Sequence, residues 1–107
     1  MWTKEDIDRI VKEHKIVVFA KGTREQPMCG FSHRAIAIMQ QLGKPFEVVD
    51  IFQDESVRPA LVDYSGWPTT PQVFVGGELI GGSDIALEMY ESGELQKKVD
   101  EVFAAGS

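Results

Sequence analysis

Apolar residues recur along the chain in two rhythms, and the alternation between them sets the expected order of elements. Ile7, Ile10, Val11 and His14 fall at three- and four-residue spacing behind Thr3, a residue type that caps helix N-termini, and predict a first helix. Lys15 to Ala20 is a β-branched run too short for a helix; it is broken by Gly22 and a polar stretch ending at Pro27, which predicts a strand followed by a loop. Beyond Cys29-Gly30 the helical rhythm returns in Phe31, Ala35, Ile38, Met39 and Leu42, and it stops at Gly43 with Pro45 just after. Phe46, Val48, Val49 and Ile51 then form a second strand. A helix between two strands makes a βαβ unit, whose strands run parallel through a right-handed crossover.

In the second half, Asp54 or Ser56 can cap a third helix carrying Val57, Leu61 and Tyr64 and ending near Ser65-Gly66. Pro59 fits only in its first turn, where backbone donors lack partners anyway. Trp67-Pro68-Thr69-Thr70-Pro71 is a stiff turn, and Gln72 to Val75 and Glu78 to Ile80 are strands joined by Gly76-Gly77, a two-residue hairpin signal. Gly81-Gly82-Ser83-Asp84 opens a helical pattern through Ile85, Leu87, Met89 and Tyr90, which is interrupted at Ser92-Gly93 and resumed by Leu95, Val99, Val102 and Phe103. The expected order is α-β-α-β-α-β-β-α-α. Residues 1–107 are expected to form one unit without repeats or linkers, with Ala104-Ala105-Gly106-Ser107 frayed.

Composition narrows the function classes. A chain of 107 residues, 43% of them apolar, can fill one core but not two. The richest apolar runs, Ile16 to Ala20 and Gln72 to Val75, are strand-sized against the roughly 20 residues of a membrane-spanning helix, so no membrane span is expected. Eleven Lys and Arg against seventeen Asp and Glu leave a net charge of −6, a poor field for a phosphate backbone, so nucleic acid is not an expected partner. Met1-Trp2-Thr3-Lys4-Glu5-Asp6 lacks a basic segment followed by an apolar one and is acidic for a transit peptide, which points to the cytoplasm. The single cysteine cannot close an internal disulfide, and a free thiol suits a reducing compartment.

That cysteine is the candidate reactive group. Cys29 immediately precedes a helix, where unpaired N–H groups and the positive end of the macrodipole favour thiolate over thiol, so its pKa is expected to be depressed. The bland alternative is a small buried apolar side chain, and the position of Cys29 outside the apolar stripe argues against it. Three residues on, where a redox dithiol would carry its second sulfur, stands Ser32. His33, four residues after Cys29, reads as an exposed second-turn residue and not as a metal ligand.

Taken together, Lys21-Gly22-Thr23, Pro27-Met28-Cys29-Gly30-Phe31-Ser32, Trp67-Pro68-Thr69-Thr70-Pro71-Gln72 and Gly81-Gly82-Ser83-Asp84 resemble the monothiol glutaredoxins of the Cys-Gly-Phe-Ser class over nearly the whole chain. The resemblance implies a thioredoxin-like α/β fold with a four-stranded mixed sheet flanked by helices. It also implies glutathione binding and a labile [2Fe–2S] cluster held through Cys29.

By that resemblance Lys21 and Arg58 meet the glycine carboxylate of glutathione. Thr70 and Pro71 match the family's cis-proline segment, which pairs with the peptide backbone of the ligand. Gly82, Ser83 and Asp84 take the γ-glutamyl end, Asp84 accepting from its ammonium; a plain helix cap is the competing account of Ser83 and Asp84, and an ordinary surface cation that of Arg58. The family often has a larger apolar residue at Thr70, which implies a more polar contact here. Trp67 and Phe31 read equally well as packing residues and stay outside the expected site.

One cysteine supplies one of the four thiolates of a [2Fe–2S] cluster, so two chains and two glutathiones are implied, in a homodimer bridged by the cluster. The loop from Gly22 to Met28 is longer than in dithiol glutaredoxins, as in the cluster-binding class. The family also suggests a BolA-like protein partner and acceptor apoproteins. The enzymatic alternative is removal of glutathione from protein mixed disulfides by the same thiolate. A purely structural adaptor would leave Cys29 dispensable.

Overall fold

Ile16–Ala20 (β1) is the strand around which the rest is arranged, and all five of its residues are buried. A strand covered on both faces has no reason to alternate, which is why this segment reads as an unbroken apolar run. The computed structural model describes residues 1–105. They fold as α1 (Lys4–Glu13), β1, α2 (Gly30–Gln41), β2 (Glu47–Asp50), a 3-10 turn (Ile51–Gln53), α3 (Val57–Ser65), β3 (Gln72–Val75), β4 (Glu78–Gly81), α4 (Ser83–Ser92) and α5 (Glu94–Ala105). The sheet order is β2-β1-β3-β4, with β1 parallel to β2 and antiparallel to β3, and β3 antiparallel to β4. This is the expected mixed four-stranded sheet flanked by helices.

Strand residues alternate between two cores. Ile16, Val18, Ala20, Val73 and Val75 pack with apolar residues of α2, α4 and α5, including Ala35, Met39, Ala86, Leu95 and Val99. Val17, Phe19 and Phe74 face the other way, toward Ile7 and Val11 of α1 and Val57 and Leu61 of α3. Phe19 and Phe74 meet edge to face, ring centres 5.6 Å apart.

The boundaries follow local chemistry. The Thr3 N–H donates to the Asp6 carboxylate at 2.8 Å, closing the start of α1 and holding the Asp6 carboxyl below its usual range. At the other end His14, expected within the helix, is its extended C-cap and is exposed. Ile51, expected at the end of a strand, begins the 3-10 turn, because Asp50 turns its carboxylate onto the Phe52 N–H at 2.8 Å and ends the extended run. Ser56 is the N-cap of α3 and Gly66 its left-handed C-cap at φ 70°. Ala104 and Ala105, expected to fray, belong to α5, while Gly106 and Ser107 lie outside the described residues. No helix among the described residues is long and apolar enough to cross a membrane.

Candidate functional site

Cys29 is the N-cap of α2, with extended backbone and its side chain turned back over the first turn. The Ser32 N–H donates to Sγ at 3.4 Å, and the Ser32 hydroxyl lies 3.3 Å from Sγ. Ser32 is fully buried, and its Oγ also accepts from the Lys21 N–H at 3.0 Å. One hydroxyl therefore ties the end of β1 to the sulfur. Partial burial alone pushes the thiol pKa up. It is outweighed by the Ser32 hydroxyl, the Ser32 and Phe31 N–H groups and the charge of Lys21, so the pKa lies below the ordinary thiol value. The thiol is free and half-exposed.

The long loop between Lys21 and Cys29 closes on itself. Gly22 and Pro27 pair as an isolated antiparallel bridge, the Met28 N–H donates to the Lys21 carbonyl at 2.8 Å, and the Thr23 hydroxyl accepts from the Gln26 N–H at 3.0 Å. Lys21 and the thiol are thus brought together despite the intervening residues. Gly22 is required here. Its φ is +99°, and a Cβ would lie 2.4 Å from the Gln26 oxygen. Asp50 anchors the loop to β2, its Oδ1 accepting from the Gly22 N–H at 2.9 Å.

Beside the thiol lies a groove of about 460 Å³ lined by Lys21, Phe31, Arg58, Trp67, Thr69, Thr70, Pro71, Gly82, Ser83, Asp84 and Ile85. It gathers residues expected at the site from four separate parts of the chain. Cys29 stands next to the groove and not in its lining, through its neighbours Lys21 and Phe31. The first turns of α2, α3 and α4 all contribute, as Phe31, Arg58 and Ser83 to Ile85, so three helix N-termini and two cations surround one cleft. The Thr70–Pro71 peptide is cis. Gly82 is the N-cap of α4 and has no side chain to satisfy the first-turn donors.

Several contributors carried no sequence signal of their own. Phe31, 60% exposed, and Trp67, both read as packing residues, line the groove. Gln72 is fully buried, and its Nε2 donates to the carbonyls of Trp67 at 2.8 Å and Thr69 at 3.1 Å, pinning the turn before Pro71. The buried Trp67 Nε1 and Thr70 Oγ1 have no hydrogen-bond partner among the described residues. Arg34 of α2 reaches Ser83 and Asp84. In the sequence Ser32 marks only the place of a missing second sulfur. His33 is exposed. Among the described residues no three His, Cys, Asp or Glu side chains gather as a metal site.

Known proteins resemble the chain in sequence and fold. Residues 16–80 match the glutaredoxin family. The chain is 47% identical over 103 residues to the ycf64-like monothiol glutaredoxin of Synechocystis sp., covering 96% of each. It superposes on the solution structure of reduced poplar apo GrxS14 with a TM-score of 0.83 at 46% identity, over 94% of this chain and 93% of that one. The buckwheat glutaredoxin–glutathione complex gives a TM-score of 0.83 at 29% identity, over 94% and 90%.

The expected cytoplasmic location is overturned by other relatives. Monothiol glutaredoxin-S14 of Arabidopsis thaliana, 45% identical over 95% of this chain and 59% of its own length, is a chloroplastic protein. So are glutaredoxin-S7 of Oryza sativa and the bifunctional glutaredoxin-S16 of Arabidopsis thaliana. An acidic N-terminal hexapeptide says nothing of the compartment in which such a domain works. With a thioredoxin-like sheet, a lone cysteine at the head of α2 and these relatives, the chain belongs to the glutaredoxin family, among its monothiol members, a class with weak thiol–disulfide oxidoreductase activity.

Proposed function

We propose that this protein binds glutathione in the groove and carries a labile [2Fe–2S] cluster on Cys29, serving cluster transfer or assembly and iron or redox homeostasis. The observation that carries the reading is a single, half-exposed, thiolate-favouring sulfur beside a groove with cations at one side and a helix N-terminus at the other. Lys21 and Arg58 suit the glycine carboxylate, the backbone at Thr70 and Pro71 the middle of the tripeptide, and Gly82, Ser83 and Asp84 the γ-glutamyl end.

The donor set fits such a cluster only as a shared cargo. One chain provides one thiolate, a second copy another, and two glutathiones the remaining pair. External thiols held by exchangeable contacts make the cargo releasable, which suits a carrier. On this reading residues 1–107 act as one glutaredoxin domain in a cluster-bridged homodimer, with a BolA-like protein and acceptor apoproteins as further partners.

The lowered pKa of Cys29 also favours a second reading, removal of glutathione from protein mixed disulfides. The Cys29 thiolate attacks the glutathionyl sulfur, the protein sulfur leaves as thiolate and takes a proton, and Cys29 is left in a disulfide with glutathione. The thiolate of a second glutathione attacks the bound glutathione's sulfur, giving glutathione disulfide and the Cys29 thiolate.

Anaerobic reconstitution with iron, sulfide and glutathione separates the two. A coloured, glutathione-dependent dimer with about one iron per chain, absent in Cys29→Ser, supports the carrier. A colourless monomer that rapidly reduces a mixed glutathione disulfide reverses the order.

A further inference from the structure

Arg34 lies in the second turn of α2, and its Nη2 crosses to α4, 3.0 Å from Ser83 Oγ and 2.5 Å from Asp84 Oδ1. Its guanidinium carbon is 5.6 Å from the centre of the Phe31 ring. Phe31, Ser83 and Asp84 all line the groove. The ion pair does little for the fold, since 83% of the Asp84 side chain and 38% of that of Arg34 are open to water. The guanidinium is only partly used. Nη2 serves two acceptors, whereas Nη1 makes no hydrogen bond to the described residues and the buried Nε has no partner among them. A planar cation with donors to spare, steadied at the edge of a groove, is suited to taking a carboxylate.

We propose that Arg34 is a specificity residue for a ligand α-carboxylate at the α4 end of the groove. It acts in two ways. It neutralises Asp84, whose bare charge would repel a carboxylate, and it adds the unused Nη1 N–H groups to the first-turn donors of α4, which Gly82 leaves uncapped. In a chain of net charge −6, Arg34 brings the cations around the groove to three, with Lys21 and Arg58, against the one carboxylate of Asp84. The ligand class is a γ-glutamyl peptide with an intact α-carboxylate. This inference rests on the glutathione reading of the groove.

The test is calorimetric titration of wild type, Arg34→Gln and Arg34→Lys with S-methylglutathione, which cannot exchange with Cys29, and with two analogues. One lacks the α-carboxylate (4-aminobutyryl-S-methylcysteinylglycine) and the other lacks the α-amino group (glutaryl-S-methylcysteinylglycine). Arg34→Gln should weaken S-methylglutathione about 3- to 10-fold, the range of one partly exposed charge-assisted contact, and more at low salt than at high. Arg34→Lys, which keeps the charge and loses the fork, should fall between. Arg34→Gln should weaken the glutaryl analogue and bind the aminobutyryl analogue at least as tightly as wild type does, because it frees Asp84 for that analogue's ammonium. Arg34→Gln binding S-methylglutathione as tightly as wild type, or losing affinity equally for both analogues, overturns the assignment. Wild type that binds none of the three overturns the glutathione reading itself. Thermal unfolding of each variant identifies any loss of affinity that comes from misfolding.

Discussion

Replacing Ser32 by Ala removes one oxygen that does two things at once. The hydroxyl lies 3.3 Å from the sulfur, and it is also the acceptor for the Lys21 N–H at 3.0 Å. A hydrogen bond to a charged acceptor contributes about 1.5–3 kcal/mol, and a long contact to diffuse sulfur sits below that range, so about 1 kcal/mol of thiolate preference should go with it. At a pH where the thiol is mostly protonated, that corresponds to about a five-fold smaller thiolate fraction. Alkylation of Cys29 by iodoacetamide, followed by mass spectrometry across a pH series, reads this directly. Its midpoint should move toward the ordinary thiol value in Ser32→Ala, and further than in Lys21→Gln, because Lys21 acts on the sulfur only through its charge while Ser32 donates to it. Leaving the half-buried Lys21 N–H without an acceptor should also cost about 1–2 kcal/mol in urea unfolding. An unchanged alkylation profile in Ser32→Ala, or a larger change in Lys21→Gln, refutes the claim that this hydroxyl tunes the sulfur.

Other perturbations test the frame around the thiol. Asp50→Ala strips the acceptor from the Gly22 and Phe52 N–H groups and should cost about 1–3 kcal/mol, with amide exchange rising at Gly22 and little change in the Phe19 core. Gly22→Ala forces a Cβ against the Gln26 carbonyl at a φ that side chains avoid; a loss of about 1–3 kcal/mol and a broadened loop in amide spectra are expected. Phe19→Ala empties a fully buried site and should lower stability by about 3–5 kcal/mol by urea unfolding. The pH dependence of stability has a fixed sign. Because the folded Cys29 pKa is depressed, the unfolded chain binds the extra proton between the folded and the ordinary thiol values, so stability of the reduced protein should rise with pH through that window and fall as pH drops through the folded value. Cys29→Ser should lack that rise in urea titrations across the same pH range.

The elements were legible in the sequence where a single physical requirement chose the residue. Gly76 and Gly77 at φ 61° and 81° are the two positive-φ positions that a two-residue hairpin needs, and Gly43 and Gly66 end helices in the left-handed region. The continuous run of β1 announced a strand buried on both faces. Where two requirements competed, the pattern misled. His14 keeps the helical spacing but sits where the chain must turn extended to enter β1, and Ile51 keeps the strand spacing but follows an aspartate whose carboxylate captures a nearby N–H. Of the residues lining the cleft, Phe31, Trp67, Thr69 and Ile85 lie outside the site that the motifs imply, and none of the lining reveals a groove by its own chemistry. What stayed hidden were residues whose work depends on the three-dimensional meeting of distant segments. Ser32 joins positions eleven apart, Gln72 folds its amide back over the turn that precedes it, and Arg34 meets residues 49 and 50 positions away.

The chain's charge is unevenly placed. Its net charge is −6, yet around the groove the cations Lys21, Arg58 and Arg34 outnumber Asp84, and the starts of α2, α3 and α4 add partial positive charge from unpaired N–H groups. On the glutathione reading, that balance lets a thiolate and a peptide bearing carboxylates share the cleft although each would repel the other in the open. The excess negative charge elsewhere discourages nonspecific contact with polyanions. Closure of the Gly22 to Met28 loop by the Gly22–Pro27 bridge and Asp50 keeps Lys21 beside the sulfur without burying it. The sulfur remains accessible from outside while its charge is supported from within, and an exchangeable ligand or cargo requires both.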